Sequence, residues 1–260
     1  VVGVEDVSFE IRPGETVCIV GESGSGKSVS SLSLMRLIEY GGGDIAGGRL
    51  LFKRGNGDEI DLAKTDQSLM RTIRGNEIGM IFQEPMTALN PVFTVGRQLT
   101  EGLRMHKGLN KAEAEARALD LLKQVRIPEP ERRLTQYPHE LSGGMRQRVV
   151  IAMALACEPR LLIADEPTTA LDVTIQAEIL ALMDRLKRET GTAVMFITHD
   201  MAVVAQMADR VVVMFRGKKV EEGAVEDIFE RPQHNYTKAL LAAVPKLGEM
   251  RGKAYPEPMK

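Results

Sequence analysis

The amino-acid sequence predicts an α/β fold with a mostly parallel central sheet. Short apolar runs of strand length alternate with longer segments of helical periodicity through most of the 260 residues, which is the pattern of strand–helix–strand units. Three of the apolar runs end in polar residues, as strands do when their carboxyl ends border a ligand site. A glycine-rich turn, Gly21–Ser28, joins an apolar run to a helical one. Together these observations indicate one α/β domain organised around that turn.

The glycine-rich turn fits the pattern G-x-x-x-x-G-K-S/T of a phosphate-binding P-loop. Thr16–Val20 before it predicts a buried strand, and Val29–Ile38 after it predicts a helix. Several backbone N–H groups and a helix N-terminus then point at one place, which suits a polyphosphate. An accidental match occurs in only about 1% of chains of this length, so we predict a P-loop NTPase. The expected ATP-binding residues are Gly21, Glu22, Ser23, Gly24, Ser25, Gly26, Lys27 and Ser28.

Composition limits the other classes of function. The 34 basic and 36 acidic residues nearly balance and no long basic run occurs, so nucleic acid is not an expected partner. Cys18 and Cys157 lie in apolar runs and are expected to be buried core thiols in a reducing compartment. The longest apolar run, Val149–Cys157, is nine residues, far below the ~20 of a membrane helix, and no signal peptide opens the sequence. We therefore expect a soluble chain whose membrane role requires another subunit.

The first third of the chain predicts mainly β structure. Partial alternation in Val1–Ile11 predicts edge strands before a turn at Arg12–Glu15, and Met70–Gly75 is expected to be a short polar segment. The remaining strands expected here are a hairpin of Arg49–Phe52 and Glu59–Leu62 joined through Gly55–Asp58, and the apolar strand Ile78–Phe82, which ends at Gln83.

The middle of the chain is expected to be a helical insertion. Asn110 and Glu113 have capping-box spacing, and Leu141–Met145 opens a further helix that runs to Glu158. After the capping box, one apolar stripe is expected at Ala112, Ala116, Leu119, Leu122 and Val125.

Strand and helix alternate again in the last third of the chain. We predict strands at Leu161–Ala164 and Ala193–Ile197, a helix at Ile175–Glu189, and a hairpin of Val211–Phe215 and Lys218–Val220. The whole chain, 1–260, is then one domain. Its predicted parts are a nucleotide-binding core with an N-terminal antiparallel β part at 1–83 and 158–223, an inserted helical lobe at 84–157, and a C-terminal tail at 224–260.

The polar residues at the strand ends predict the chemistry of the site. Gln83, Asp165–Glu166 and His199 should meet the P-loop, because parallel strands share one carboxyl edge. Lys27 would contact the β- and γ-phosphates, and Ser28, Asp165 and Gln83 are the expected Mg²⁺ contacts. Glu166 would polarise the attacking water, with His199 and Gln83 as further catalytic residues. Taken alone, each of these residues is more often an ordinary turn or surface residue; their combination behind a P-loop favours the site.

A second anion-ready helix start follows at Ser142, Gly143 and Gly144. It is compatible with a simple N-cap. However, the P-loop already supplies a phosphate site, so this helix start has no target within its own chain. We therefore expect it to bind the γ-phosphate of a nucleotide held by another copy, which predicts a head-to-tail pair with two ATP molecules at the interface.

These motifs, in this order, resemble the nucleotide-binding subunits of ABC transporters over nearly the whole chain. Gly21–Ser28 resembles the Walker A motif, Gln83 the Q-loop and Leu141–Met145 the signature motif. The other matches are Leu161–Asp165 with the Walker B motif, Glu166 with the catalytic base, 170–172 with the D-loop, whose Asp172 would connect the two sites, and His199 with the switch histidine.

Within that family the chain is similar to the bacterial dipeptide, oligopeptide, nickel and glutathione importers. The similarity lies in Phe82–Pro91, Leu141–Arg148 and the tail segment Arg231–Leu241. It implies ATP and Mg²⁺ as cofactors and a second ABC ATPase domain, membrane permease subunits and, indirectly, a solute-binding protein as partners. The implied location is the cytoplasmic face of the bacterial inner membrane.

Three departures from the family pattern are visible. Met145 stands where many members have Gln, and Asn235 replaces the Pro of the His-Pro-Tyr tail. Phe9, the one aromatic residue before the P-loop, is too close to it to match the aromatic residue that stacks on adenine. We therefore expect the chain to be a fragment or one half of a longer polypeptide. The tail has no cysteine cluster for an iron–sulfur site.

Two other functions are compatible with a P-loop. An ABC-type ATPase with a soluble role in DNA repair or translation would be stimulated by DNA or ribosomes, whereas an importer subunit would co-purify with a multi-spanning membrane protein. A P-loop kinase would give no reason for Ser142–Gly144 or for the Glu166–His199 pair. The sequence leaves the cargo open among peptides, glutathione and nickel.

Overall fold

The computed structural model describes residues 2–83, 88–169 and 171–243. Its strands are β1 (Thr16–Val20), β2 (Leu51–Lys53), β3 (Glu59–Asp61), β4 (Ile78–Ile81), β5 (Leu161–Asp165), β6 (Ala193–Ile197), β7 (Arg210–Phe215) and β8 (Lys218–Ala224). Six of them form one sheet in the order β4-β5-β6-β1-β7-β8, while β2 and β3 form a separate hairpin. Neighbours from β4 to β7 are parallel, and β8 is antiparallel to β7. The predicted mostly parallel sheet and both hairpins are confirmed.

Helices surround this sheet. They are α1 (Lys27–Leu34), α2 (Gln67–Ile73), α3 (Val95–Lys107), α4 (Lys111–Gln124), α5 (Pro130–Leu134), α6 (Gly143–Leu155), α7 (Val173–Thr190), α8 (Met201–Met207), α9 (Val225–Glu230) and α10 (Asn235–Ala242), with short 3-10 helices at Ile38–Gly41 and Pro138–Glu140. The helices α3 to α6 lie between β4 and β5 in the chain, where the sequence predicts an insertion. Within the described ranges, no helix is both long enough and apolar enough to span a membrane.

The sheet is buried on both faces. Every residue of β1, β5 and β6 is buried, as expected for parallel strands covered by helices on each side. Alternate residues of β1 therefore belong to different cores: Cys18 and Val20 pack in one apolar cluster, and Val17 and Ile19 pack in the other. Cys18 and Cys157 are buried free thiols.

The P-loop helix α1 ends at Leu34, earlier than the periodicity predicts. Arg36 has a positive φ of 49°, its N–H donates to the Ser33 carbonyl, and the Leu37 N–H donates to the Leu32 carbonyl. This pair of bonds is a Schellman motif, which satisfies the last carbonyls of a helix and reverses the chain. Apolar spacing alone could not reveal this ending.

The prediction of edge strands in Val1–Ile11 is wrong, because the described part of this segment forms no strand. Lys219 and Arg210 donate from their side chains to the carbonyls of Ser8 and Glu10, so these carbonyls are satisfied without a neighbouring strand. The apolar side chains of the segment still pack against the core that contains Val17; they are Val4, Val7, Phe9 and Ile11. The partial alternation thus reflects one-sided packing of an irregular segment.

The prediction of a short polar segment at Met70–Gly75 is also wrong. Most of it belongs to α2, in which Met70 and Ile73 are fully buried. Asp66 caps the helix by accepting from the N–H groups of Ser68 and Leu69. Two apolar residues three positions apart are enough to anchor this short amphipathic helix on the core.

The helix that begins after Asn110 is confirmed, but its predicted apolar stripe is partly wrong. The capping box is present, with each of Asn110 and Glu113 accepting from the other's backbone N–H. Alanines occur at every second position from 112 to 118, so two different helical stripes fit the sequence. Ala112 and Ala116 are exposed; the buried residues are Ala114, Ala118, Leu121, Leu122 and Val125.

Two glycine-to-alanine substitutions should change stability in opposite directions. A Cβ at Gly79 of β4 would lie 2.4 Å from the Ala154 carbonyl oxygen of α6, so Gly79→Ala is expected to lower the free energy of unfolding by about 1–3 kcal/mol. Gly102, inside α3, has open space at its Cβ position, so Gly102→Ala is expected to raise it by up to about 1 kcal/mol. Urea denaturation measures both. A stabilised Gly79→Ala would contradict the packing of α6 on β4.

Candidate functional site

The P-loop connects β1 to α1 at the centre of the sheet. Gly21 has a φ of 149°, and a Cβ there would lie 2.2 Å from the Met214 carbonyl oxygen of β7. Glycine is therefore required where the loop leaves β1, because no side chain fits between the loop and the neighbouring strand. Farther along the loop, Gly24 has a positive φ of 80° and open space beside it. The loop thus presents its outer side to a ligand.

Lys27 lies inside the loop. Its ammonium donates to the carbonyl oxygens of Gly21 at 2.7 Å and Glu22 at 2.8 Å, and only 6% of the residue is exposed. Burial lowers the pKa of Lys27, while the carboxylates of Glu166 and Asp165 oppose that change. A cation held near two carboxylates and the N-terminus of α1 is well placed for an anionic ligand.

The strand register brings the predicted strand-end residues together. Asp165 at the end of β5 is level with Ile197 at the end of β6, and the Glu166 N–H donates to the Ile197 carbonyl at 2.9 Å. His199 Nδ1 lies 3.1 Å from Glu166 Oε1, and Gln83 Nε2 donates to Glu166 Oε2 at 3.4 Å. Gln83, Glu166 and His199 therefore form one polar cluster at the sheet edge that carries the P-loop.

Glu166 is the centre of this cluster. Its backbone adopts the left-handed region with a φ of 47°, which is uncommon for a side chain of this size and frequent at functional sites. Thr169, which sequence reasoning missed, donates its hydroxyl to Glu166 Oε2 at 3.0 Å. Burial raises the pKa of Glu166, but the hydrogen bonds with His199 and Thr169, together with the nearby charge of Lys27, leave the pKa below its ordinary value. Glu166 is therefore a carboxylate at neutral pH.

Asp165 lies deeper than Glu166 and its carboxyl is incompletely bonded. Only 4% of the residue is exposed, and its Oδ1 atom has no hydrogen-bond partner within the described residues. Burial raises the pKa of Asp165, with the Ser28 hydroxyl and Lys27 ammonium opposing. The Ser25 hydroxyl is likewise buried and unpartnered within the described part of the chain.

These unpartnered oxygens fit a nucleotide with a divalent cation. A buried carboxylate oxygen beside a serine hydroxyl is the donor set that Mg²⁺ uses when phosphates supply further ligands. Across residues 2–83, 88–169 and 171–243, no group of three or more His, Cys, Asp or Glu side chains is arranged to hold a metal ion.

Ser142 and the two glycines after it are separate from this cluster. Ser142 caps α6 by accepting from the Met145 N–H at 3.3 Å, and Ser142 and Gly143 are exposed. Asp172 caps α7 by accepting from the Ile175 N–H at 3.0 Å. Among the described hydrogen bonds, none joins Ser142–Gly144 to the P-loop. Ala170, residues 84–87 and the tail after 243 lie outside the described residues.

Two further contacts at the site were missed by sequence reasoning. Gln147 of α6 is buried and donates to the Pro167 carbonyl next to Glu166. Tyr236 of α10 accepts at its hydroxyl from the Glu22 N–H in the P-loop at 2.9 Å. The first contact joins positions 20 apart and the second joins positions 214 apart, and the sequence contains no local signal for either.

Comparison with known proteins gives two family matches. Residues 4–169 match the model of the ABC transporter family. Residues 220–259 match the oligopeptide/dipeptide transporter C-terminal region. The second match includes the tail in which the sequence resembles peptide importers.

Individual relatives agree with the family matches. The glutathione import ATP-binding protein GsiA of Pectobacterium atrosepticum is 59% identical over 253 residues, covering 97% of this chain and 41% of that protein. GsiA of Escherichia coli strain K12 is 57% identical over 256 residues, covering 98% and 41%. The chain thus spans about two fifths of the length of these relatives. The resemblance to glutathione importers is confirmed.

Solved structures confirm the fold. The ATP-binding cassette MJ0796, solved as a dimer in a post-hydrolysis state bound to ADP and Pi, superposes with a TM-score of 0.73 at 31% identity. The match covers 86% of this chain and 90% of that one. A second dimeric structure of MJ0796, described as a bacterial ABC transporter cassette, gives the same values.

Replacing Asp165 by Asn should stabilise the protein when nucleotide and Mg²⁺ are absent. Because burial raises the pKa of Asp165, the folded protein binds this proton more tightly than the unfolded chain does. The ionised carboxylate therefore costs stability above the folded pKa, and the cost disappears as pH falls through that pKa. Urea denaturation should show Asp165→Asn more stable by about 1 kcal/mol near pH 8, with a smaller difference at lower pH.

Asp209→Asn is the matched control with the opposite sign. Burial raises the pKa of Asp209, but the Thr16 N–H and the Lys187 ammonium, which bind its carboxylate, outweigh burial. The pKa of Asp209 is therefore below its ordinary value. This substitution should therefore reduce stability at neutral pH. An Asp165→Asn variant less stable than wild type would show that the Asp165 carboxylate is fully compensated in the folded chain.

Proposed function

The chain belongs to the ABC transporter family, and we propose that it is the ATP-binding and ATP-hydrolysing subunit of an importer for peptides or glutathione. The observation that carries this proposal is the convergence of the P-loop, Asp165, Glu166 and His199 at one edge of the sheet. The match of the tail to the oligopeptide/dipeptide transporter C-terminal region supports the cargo class. The resemblance to GsiA makes glutathione the first cargo to test.

In this proposal the P-loop residues Gly21–Ser28 bind the phosphates of ATP through backbone N–H groups and the Lys27 ammonium. Ser28 and Asp165 would hold Mg²⁺, with Gln83 at the edge of the coordination sphere. Mg²⁺ would neutralise charge that develops on the phosphate oxygens. The Oδ1 atom of Asp165, which has no hydrogen-bond partner in the described part of the chain, supports this assignment.

Glu166 would act as the base that polarises the attacking water. Its ionised state at neutral pH suits this role, and it projects from the same edge as Lys27. His199, 3.1 Å from Glu166, would keep the carboxylate and the γ-phosphate in line, and Gln83 would complete the water site. Gln83 and His199 both contact the Glu166 carboxylate, so binding of ATP would rearrange the cluster.

Completion of the site would require a second ATPase domain. Ser142, Gly143 and Gly144 form a helix start, exposed at Ser142 and Gly143, whose N–H groups suit a γ-phosphate held by a partner, and Asp172 would connect the two sites. The dimeric structures of MJ0796 support pairing of two such domains; the head-to-tail arrangement is part of the proposal. Membrane permease subunits, reached through the inserted helices, and a solute-binding protein would complete an importer at the cytoplasmic face of the bacterial inner membrane.

Glu166→Gln should retain ATP binding but lower ATP turnover by at least about 100-fold, because it removes the water-polarising carboxylate. Lys27→Ala should weaken ATP binding itself. The measurement is phosphate release by the purified chain against protein concentration, where a steeper than linear rise indicates paired sites. Glu115→Gln, an exposed residue of α4, is the control. Near-normal turnover by Glu166→Gln would exclude the role proposed for Glu166.

Ser142→Ala should weaken ATP-driven dimerisation by at least about tenfold, because it removes a hydrogen bond to a charged phosphate. Dimers are measured by sedimentation in the Glu166→Gln background, where ATP should persist. Thr94→Ala is the matched control, since Thr94 also caps a helix of 13 residues through a 3.3 Å bond. Both variants should lose about 1 kcal/mol of stability, but Thr94→Ala should dimerise normally. Equal dimerisation by the two would contradict the role in trans.

A further inference from the structure

We propose that Tyr236 in the tail is a positioning residue for the P-loop: its hydroxyl fixes the peptide group that holds Lys27 and thereby sets the affinity for ATP. The inference rests on the proposed function, because it assigns a consequence to ATP binding at that site. It concerns a contact between α10 and the loop after β1, two segments more than 200 positions apart in the chain.

The contact is made through one peptide group. The Glu22 N–H donates to the Tyr236 hydroxyl at 2.9 Å. The same planar peptide carries the Gly21 carbonyl, which accepts from the Lys27 ammonium at 2.7 Å. Because the N–H and C=O of a trans peptide point in opposite directions, Tyr236 and Lys27 bind its two ends. The orientation of this peptide is therefore fixed from both sides, and the bonds polarise each other.

Tyr236 is itself held in place independently of any ligand. Its ring packs on Phe215 at the end of β7, with the ring centroids 4.3 Å apart. The Tyr236 N–H donates to His234 Nδ1 at 3.1 Å, and the His234 N–H donates to the Glu221 carboxylate of β8 at 3.0 Å. The hydroxyl is thus supported by the β7–β8 hairpin, which is part of the central sheet.

The Lys27 ammonium also binds the carbonyl of Glu22, which accepts from the Ser25 N–H as well. Glu22 is therefore bonded to the tail through its N–H and to the rest of the loop through its carbonyl. Without the Tyr236 hydroxyl, the loop at Gly21 and Glu22 would gain conformational freedom. ATP binding would then have to order this part of the loop again. The expected consequence is weaker ATP binding with little change in the chemical step.

The test is Tyr236→Phe, which removes the hydroxyl and keeps the ring on Phe215. The Kd of a fluorescent ATP analogue with Mg²⁺, and the KM for ATP, should each rise about two- to tenfold, while kcat stays within about twofold. Tyr40→Phe is the matched control, because Tyr40 is exposed and contacts Arg74 away from the loop; it should leave these values unchanged. Unchanged ATP affinity in Tyr236→Phe would overturn the inference.

Hydrogen exchange of the Glu22 amide, measured without nucleotide, separates this inference from the proposed function. The amide should exchange faster in Tyr236→Phe than in wild type, and at the wild-type rate in Tyr40→Phe. Identical exchange in Tyr236→Phe and wild type would refute the contact. If wild type failed to bind the ATP analogue, the proposed function would fall, and the exchange rates would still decide whether Tyr236 holds the loop.

Discussion

The parallel register of β4, β5, β6 and β1 is the constraint on which the rest of the site depends. Parallel strands end at the same edge, so the residues that follow each strand meet without any special loop design. The pairing of Asp165 with Ile197 puts Glu166 beside the residues that lead to His199. A shift of one residue would move each side chain of a strand from one apolar core to the other, so the packing of the two cores that fixes the register also fixes the site.

The arrangement of the site lowers the folding stability of the chain. Burial lowers the pKa of Lys27 and raises the pKa of Asp165, so in both residues it disfavours the charged form. One carboxylate oxygen of Asp165 also has no partner among the described residues. Glu166 has a left-handed backbone. Such features are tolerated when surrounding packing determines them, here between two apolar cores. A ligand with phosphates and a cation would satisfy these groups. Relief of their unfavourable burial would therefore contribute part of the binding free energy.

The sequence predicted what local patterns encode. Short buried strands, the P-loop and the capping box at Asn110 were confirmed because each depends on residues close together in the chain. The apolar stripe of α4 was partly wrong because alternating alanines fit two helical faces. The early end of α1 depends on a Schellman motif at Arg36 that apolar spacing does not reveal. Tyr236, Thr169 and Gln147 became visible only through tertiary contacts, since nothing in their own segments marks them.

The β7–β8 hairpin shapes the P-loop at two points. Met214 of β7 contacts Gly21 so closely that no side chain fits there, and Phe215 supports the tyrosine that binds Glu22. The P-loop is therefore shaped by its own chain, including the tail, before any partner arrives. Ser142 and Gly143 are exposed, and none of the described hydrogen bonds joins Ser142–Gly144 to the P-loop. On the proposed function, a single chain sets the affinity for ATP, and a second chain supplies the groups that commit ATP to hydrolysis.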